Sequence, residues 1–376
     1  MPVQLHIYSG TDQSKQLTEK ETARIENRLK LDLARLQIDD RAKRKAMEAV
    51  YEGRSEGLVD QMLRQRLIFD PVIQSTLDQI TDIIFAANPE IPQEEISIWL
   101  SRSAVPNASC HGEGTIVINA GLISRLENVE ELAFVICHEI AHYLHDHVNR
   151  SVKAHFDFFY SEETAQELKR ISEQEYGQFS KFREFMEGMV YEKGRHSRDH
   201  ELEADAIGFE LLRRTSFYVG GSINTLQILD RIDTESPDLP SLKNTFDTPN
   251  YPFREAWTID ESGGFIMGKK HSWWEVDSLK THPNCQDRIE ALGTLAKTVT
   301  PAPHRLQADF VALKDKMSFE LVEYFHDRHN HGRVIHEARK LLLVYPDNAY
   351  LHSRIALSLL LIWQAQVDHE KGKVID

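Results

Sequence analysis

A His-Glu-x-x-His pattern at residues 138–142 places two metal-binding side chains and a carboxylate within five positions. On a helix, His138 and His142 lie one turn apart and point the same way, so both imidazoles can reach one metal ion. Glu139 is placed to accept a proton from a water that zinc has activated. The pattern therefore predicts a hydrolytic zinc site with one ion per chain. The alternative is a pair of hydrogen-bonded core histidines beside a solvated glutamate.

The segment around this pattern has the features of a buried helix. Asn128 followed by Glu131 is typical of an N-terminal capping box. Apolar residues then recur at helical spacing, at Leu132, Val135, Ile136, Ile140 and Tyr143. Because buried His and Glu side chains are costly unless they are paired or metal-bound, this context favours a functional site.

A catalytic zinc site needs a third protein ligand and leaves its fourth position to water. The best candidates lie downstream, where Glu201 and Asp205 are four residues apart and share one face of a predicted helix. One carboxylate would bind the metal, and the other would accept a hydrogen bond from a ligand histidine and fix its tautomer. Glu203 points about 200° away from Glu201 and is expected to face solvent.

The order of the motifs resembles the gluzincin metallopeptidase family of HtpX, the CAAX prenyl proteases and the soluble BepA-like peptidases. The resemblance spans residues 70–295 and rests on an Asn-Ala turn at 107–108, the segment 114–122, the histidine motif at 138–142, the acidic motif at 201–205 and a His-Pro…Arg-Ile element at 282–289.

This resemblance implies a zincin-type peptidase domain, with a small sheet beside the helix that carries the histidines. It implies that His138, His142 and Glu201 hold the zinc ion. Glu139 would be the general base, and Asp205 would support a ligand from behind.

Three further features near the predicted site have both a functional and a structural interpretation. Residues 114–119 predict an edge strand on which an extended peptide substrate could pair, or else an ordinary strand of the sheet. Arg288 is a candidate catalytic residue that stabilises an oxyanion or holds a ligand carboxylate, or else a salt bridge on a helix surface. His282, before Pro283, is a candidate of the same kind or a turn residue at a helix start.

Other histidines near the motif are not needed for the predicted chemistry. His145 and His147 follow the zinc helix directly, and His147 resembles a common position of the family. We interpret both as helix-end packing or solvated side chains.

Composition excludes several classes of function. The net charge of −15 argues against binding to nucleic acid or to anionic membrane surfaces. No apolar run approaches the length of a membrane span, which favours the soluble branch of the family over HtpX and the prenyl proteases. Cys110, Cys137 and Cys285 are too few and too scattered for a disulfide framework.

The first seven residues lack the basic and apolar regions of a signal peptide, which taken literally predicts a cytoplasmic protein. The soluble relatives that the chain resembles are exported. A periplasmic or extracytoplasmic location therefore stays open.

We predict an α+β, mainly helical chain in three parts. Residues 1–66 form a charged helical segment, residues 67–298 form the zinc peptidase domain, and residues 304–376 form a tetratricopeptide-like helical tail. Within the peptidase domain, the Pro- and Trp-rich segment 232–280 is interpreted as an insertion or lid. The tail would either bind a protein partner or act as a helical buttress.

The sequence as a whole predicts a zinc metalloendopeptidase that acts on protein substrates, in protein quality control. The alternative is a latent peptidase fold that acts mainly as a chaperone or assembly factor.

Overall fold

A computed structural model of the chain describes residues 12–64, 66–68, 70–173, 181, 198–231, 239–247, 249–250, 252–254, 285–293 and 304–368. These residues are mainly helical with one small mixed sheet, so the predicted class is confirmed. The chain divides into two compact units, Met1–Ile228 with Asn284–Tyr324, and Leu229–Pro283 with Phe325–Asp376. The predicted limits of the three domains stay predictions.

The sheet has four strands, β1 Leu67–Ile68, β2 Ser97–Ser101, β3 Ala108–Cys110 and β4 Thr115–Asn119. Along the chain, the described helices are α1 Asp12–Arg35, α2 Arg41–Leu63, α3 Pro71–Ala87, α4 Ala120–Ile123, α5 Val129–Leu144, α6 His147–Phe159, α7 Glu162–Ser172, α8 at 198–213, α9 Gly221–Arg231, α10 Leu242–Phe246, α11 Cys285–Gly293, α12 Gln307–Asp327, α13 His331–Leu342 and α14 Ala349–Val367.

The strands lie in the order β1-β2-β4-β3, with β2 and β4 parallel and the outer strands antiparallel to their neighbours. The prediction that residues 114–119 form an edge strand is therefore wrong, because β4 is paired on both sides. Among the described residues, β3 is the outer neighbour of β4 and forms that edge of the sheet. β3 has only three residues and carries no alternating apolar pattern, so the sequence did not reveal it.

The first two helices cover one face of the sheet. Ile25 of α1 and Leu58 of α2 share a buried core cluster with Trp99 and Val117, which lie opposite each other on β2 and β4. Arg24 adds a polar link, since its Nη1 donates to the carbonyl oxygen of Glu113 at 3.0 Å. The charged N-terminal segment therefore packs onto the sheet through a minority of apolar positions.

Helix α5 packs against β3 and β4 and forms the centre of the first unit. The predicted capping box is present: the Asn128 side chain accepts from the N–H of Glu131 at 3.1 Å, and Glu131 accepts in return from the N–H of Asn128 at 3.3 Å. Residues 129–141 are all buried. The helix is thus enclosed on every side and not only along the predicted apolar stripe.

In the second unit, α13 and α14 pack against each other as a helical pair. Each begins at an asparagine cap, because Asn330 accepts from the N–H of Arg333 and Asn348 accepts from that of Leu351, both at 3.1 Å. Arg339 of α13 donates to Thr245 of α10 at 3.2 Å. Most of the predicted lid 232–280 and residues 369–376 lie outside the described residues.

None of the helices in the described part of the chain is long and apolar enough to cross a membrane.

Substitution of Gly114 tests the tight turn that leads into β4. Its φ is +88°, and a Cβ there would lie 2.1 Å from the carbonyl oxygen of Glu95. We expect Gly114→Ala to lower the free energy of unfolding by about 2–4 kcal/mol, because strain and overlap add. Urea unfolding followed by circular dichroism measures this change.

Gly57→Ala is the matched control. Gly57 lies inside α2, where a Cβ meets nothing within 4 Å. Alanine there should raise stability by up to about 1 kcal/mol through helix propensity. Equal effects of the two substitutions would contradict the account of Gly114.

Candidate metal centre

The candidate site forms where α8 approaches α5 very closely. A Cβ on Gly208 of α8 would lie only 3.0 Å from both the backbone N and the Cα of His138. Glycine therefore allows the two helix backbones to come into contact at this point. The approach brings Glu201 and Asp205 of α8 up to the histidine face of α5.

Potential ligand atoms of three residues converge there. The Nε2 atoms of His138 and His142 lie 3.1 Å apart. Glu201 lies against both, with its Oε2 3.6 Å from Nε2 of His138 and its Oε1 3.4 Å from Nε2 of His142. The structure thus brings together the three residues that the sequence analysis selected as metal ligands.

These separations fit a tetrahedral ion. With metal–ligand bonds of 2.0–2.1 Å, two ligand atoms of a tetrahedron lie about 3.3 Å apart. The three measured separations lie on either side of that value, so one ion could bind both imidazoles and the carboxylate with small side-chain adjustments. Two imidazoles and a carboxylate are also the donor set of hydrolytic zinc sites.

Asp205 and Arg288 support the ligands from behind. Oδ1 of Asp205 lies 2.9 Å from Nδ1 of His138. Arg288 of α11 donates to both oxygens of Asp205, at 2.5 and 2.7 Å, and its Nη1 lies 2.9 Å from Oε2 of Glu201. Arg288 is 2% exposed, so its interpretation as a salt bridge on a helix surface does not fit the structure. Its position matches the predicted contact with a ligand carboxylate.

The charges of this cluster reinforce one another. Burial by itself would raise the pKa of Asp205, but hydrogen bonds to Arg288 and His138 outweigh it and hold that pKa below its usual value. Burial by itself would lower the pKa of His138, but Asp205 and Glu201 outweigh it and raise that pKa. The carboxylates of Asp205 and Glu201 share the guanidinium of Arg288, and this arrangement favours a further cation beside the imidazoles.

His142 is supported by a different chain of contacts. Its Nδ1 lies 2.9 Å from Nδ1 of His147, and Nε2 of His147 lies 2.8 Å from Oε2 of Glu203. Because an ionised carboxylate only accepts, the proton of His147 is on Nε2, and its Nδ1 accepts from His142. This tautomer leaves a lone pair on Nε2 of His142, on the side that faces Glu201.

The pKa values of this second chain agree with that assignment. Burial lowers the pKa of His147 to about 4, and the hydrogen bond from His147 lowers the pKa of Glu203 to about 2. At neutral pH, His147 is therefore neutral and Glu203 is ionised. The sequence analysis missed this contact, since it expected His147 to serve in helix-end packing or to be solvated and assigned no partner to Glu203, whose side chain is 38% exposed.

Glu139, the predicted base, is 4% exposed. Burial raises the pKa of the Cys110 thiol, and the nearby carboxylates of Glu139 and Glu113 raise it further. The base is therefore close to the end of β3. His282, the other predicted catalytic residue, lies outside the described residues.

Replacement of Arg288 by lysine tests the buried carboxylate cluster. Lysine keeps the charge but cannot bind Asp205 through two parallel hydrogen bonds while also reaching Glu201. We expect Arg288→Lys to lower the free energy of unfolding of chelator-treated protein by about 2–3 kcal/mol. Urea unfolding without metal isolates this term from any effect of a bound ion.

Arg213→Lys is the control on α8, because Arg213 binds Glu210 at an exposed position. This substitution should change stability by no more than about 0.5 kcal/mol. If Arg288→Lys were equally mild, the ion pairs of Arg288 would not be what holds the carboxylates in place.

Comparison with known proteins agrees with this geometry. Residues 73–296, more than half of the chain, match the family model for peptidase family M48, and this range contains every described residue of the site. A Vibrio cholerae serotype O1 protein named "Putative beta-barrel assembly-enhancing protease" is 26% identical over 170 residues, which cover 42% of this chain and 33% of that protein. The chain therefore matches about a third of the length of this curated relative. The predicted gluzincin resemblance is confirmed, and the chain belongs to peptidase family M48, a family of metallopeptidases.

Proposed function

We propose that this chain is a zinc-dependent endopeptidase that hydrolyses protein substrates, with His138, His142 and Glu201 as the zinc ligands. The observation that carries the proposal is the convergence of three side chains from two helices, with separations of 3.1, 3.4 and 3.6 Å between their ligand atoms. Two imidazoles with one carboxylate favour zinc over calcium or magnesium, which prefer oxygen ligands.

When bound there, zinc supplies a Lewis acid that acidifies water and polarises a peptide carbonyl. Glu139 is the general base in this proposal. It follows His138 directly on α5, so its carboxylate is held beside the ligands without being one of them. It takes a proton from the attacking water and delivers that proton to the leaving amine. Its burial keeps competing solvent away from this transfer.

The residues behind the ligands act by positioning. Asp205 holds a proton on Nδ1 of His138 and so directs the lone pair of Nε2 into the site. Arg288 donates to Asp205 and lies against Glu201, and in this proposal it orients both carboxylates. The chain from His142 through His147 to Glu203 orients the second imidazole in the same way.

We place the substrate along β3 instead of β4. Asn107 and His111, which flank β3, form backbone hydrogen bonds with Asn119 and Thr115 at the two ends of β4. By antiparallel alternation, the backbone groups of Ala108 and Cys110 point away from β4. An extended peptide paired there would pass close to Glu139.

A second candidate function, protein binding without frequent cleavage, is favoured by the α13–α14 pair. Leu360 and Trp363 of α14 are 55% and 60% exposed and lie one turn apart. Exposed apolar side chains on a helical pair suit a protein partner, as in tetratricopeptide-like repeats. The Vibrio cholerae relative is named as a protease that enhances β-barrel assembly. For this chain we propose protein substrates in general and no particular class of them.

The decisive measurement is metal content together with cleavage of unfolded casein. Glu139→Gln should keep one zinc per chain and lose at least about 99% of the activity, because it removes only the base. Glu201→Ala should lose metal affinity itself, by about 10- to 100-fold or more. Glu210→Gln, on the same helix as Glu201, is the control and should keep both metal and activity.

Full activity of Glu139→Gln would contradict the mechanism. Zinc in wild type with no cleavage by either protein would instead favour the chaperone-like function. Absence of zinc from wild-type protein prepared in zinc-supplemented buffer would show that the ligand assignment is wrong.

A further inference from the structure

We propose that His145, His147 and Glu203 form a second site for a transition-metal dication such as zinc, and that its occupation opposes metal binding at the first site. The second site itself does not depend on the proposed function. The opposition does, because it rests on His142 as a ligand of the first ion.

The three side chains already converge on one point. Nδ1 of His145 lies 3.1 Å from Oε1 of Glu203, and Nε2 of His147 lies 2.8 Å from Oε2 of the same carboxylate. One ligand atom from each residue lies within 4.8 Å of the other two. Two imidazoles and a carboxylate repeat the donor set of the first site, so the same class of ion is suited to both.

The backbone between α5 and α6 creates this convergence. Asp146 separates the two histidines and has a φ of +51°, in the left-handed region that non-glycine residues rarely adopt. Only His145 and Asp146 lie between α5 and α6, so that the side chains on both sides of Asp146 reach the same carboxylate. Backbone strain of this kind is concentrated at functional sites.

The site combines one fixed ligand with two accessible ones. His147 is 2% exposed, and its ring stacks on that of His200, with centroids 4.3 Å apart and planes within 5°. The side chains of His145 and Glu203 are 40% and 38% exposed. An ion can therefore enter from solvent and bind without opening the core.

One cation competes for this position. Nη1 of Arg150 lies 3.3 Å from Oε2 of Glu203. Because its side chain is 51% exposed, the guanidinium can turn into solvent when an ion binds. It lowers the affinity of the site by charge repulsion and by occupying a carboxylate oxygen.

The opposition between the sites follows from proton positions on two rings. An ion bound to Nε2 of His147 requires the ring proton to be on Nδ1. That Nδ1 lies 2.9 Å from Nδ1 of His142, which also carries a proton when its Nε2 binds the first ion. Two N–H groups would then point at each other across a hydrogen-bond distance. One ring must turn away, so each ion weakens the binding of the other.

Zinc binding and zinc inhibition of the full-length chain test the proposal. Wild type should be inhibited by zinc beyond the first equivalent. His145→Ala should keep the basal casein cleavage and require zinc concentrations about 10- to 100-fold higher for the same inhibition, because one of three ligands is gone. Arg150→Gln should shift inhibition in the opposite direction, to lower zinc, which non-specific precipitation by zinc would not do.

A binding measurement separates this proposal from the proposed function. Glu201→Ala removes a first-site ligand, so zinc titration against a chromophoric chelator should detect the second site alone. Adding His145→Ala to that variant should weaken the remaining binding about 10- to 100-fold. Equal zinc binding by the single and double variants, or equal zinc inhibition of wild type and His145→Ala, would overturn the second site. Binding that follows this pattern in a chain without peptidase activity would support the second site and refute only the proposed function.

Discussion

The two-point ion pair between Asp205 and Arg288 is the interaction on which the rest of the site depends. It joins α8 to α11, and through the second partner of each residue it reaches His138 on α5 and Glu201 on α8. Two carboxylates and two imidazoles could not otherwise be enclosed so fully, because burial of unpaired charge is costly. The guanidinium thus allows this cluster of carboxylates and imidazoles to be built inside a hydrophobic core.

The two histidines proposed as ligands are held in different ways. His138 lies against the buried carboxylate of Asp205, which is paired with Arg288. All three side chains are buried, so the ring of His138 has little room to move. His142 is backed by the ring of His147, whose own partner, Glu203, is partly open to solvent. Changes in the solvent can therefore affect the hydrogen-bond partners of His142 much more readily than those of His138.

Local sequence patterns predicted the parts of the structure that depend on local forces. The capping box at Asn128 and Glu131 and the apolar spacing after it were enough to place α5, since both act within one or two helical turns. The same helical geometry placed Glu201 and Asp205 on one face of α8, because they are four residues apart. The resemblance to a known family then indicated how the two helices combine.

The parts that the sequence did not reveal depend on contacts between distant residues. β3 is too short to carry a pattern of its own, and its strand character comes from pairing with β4. The contact of His147 with Glu203 joins residues 56 positions apart, and the left-handed conformation of Asp146 that permits it has no signature in an aspartate alone. The sequence could not show which carboxylates Arg288 contacts, because Asp205 and Glu201 lie more than 80 positions away along the chain.

The enclosure of α5 on all sides has a consequence for how the protein opens. Residues 129–141 contribute both the centre of the hydrophobic core and His138 of the site, so an opening of this helix disturbs both. Its amide hydrogens would exchange with solvent only through openings that also dismantle the core, and a bound ion would slow those openings by favouring the folded state. If the proposed site binds its ion, metal binding and cooperative folding are coupled in this unit, and the ion would protect regions of the chain that it never touches.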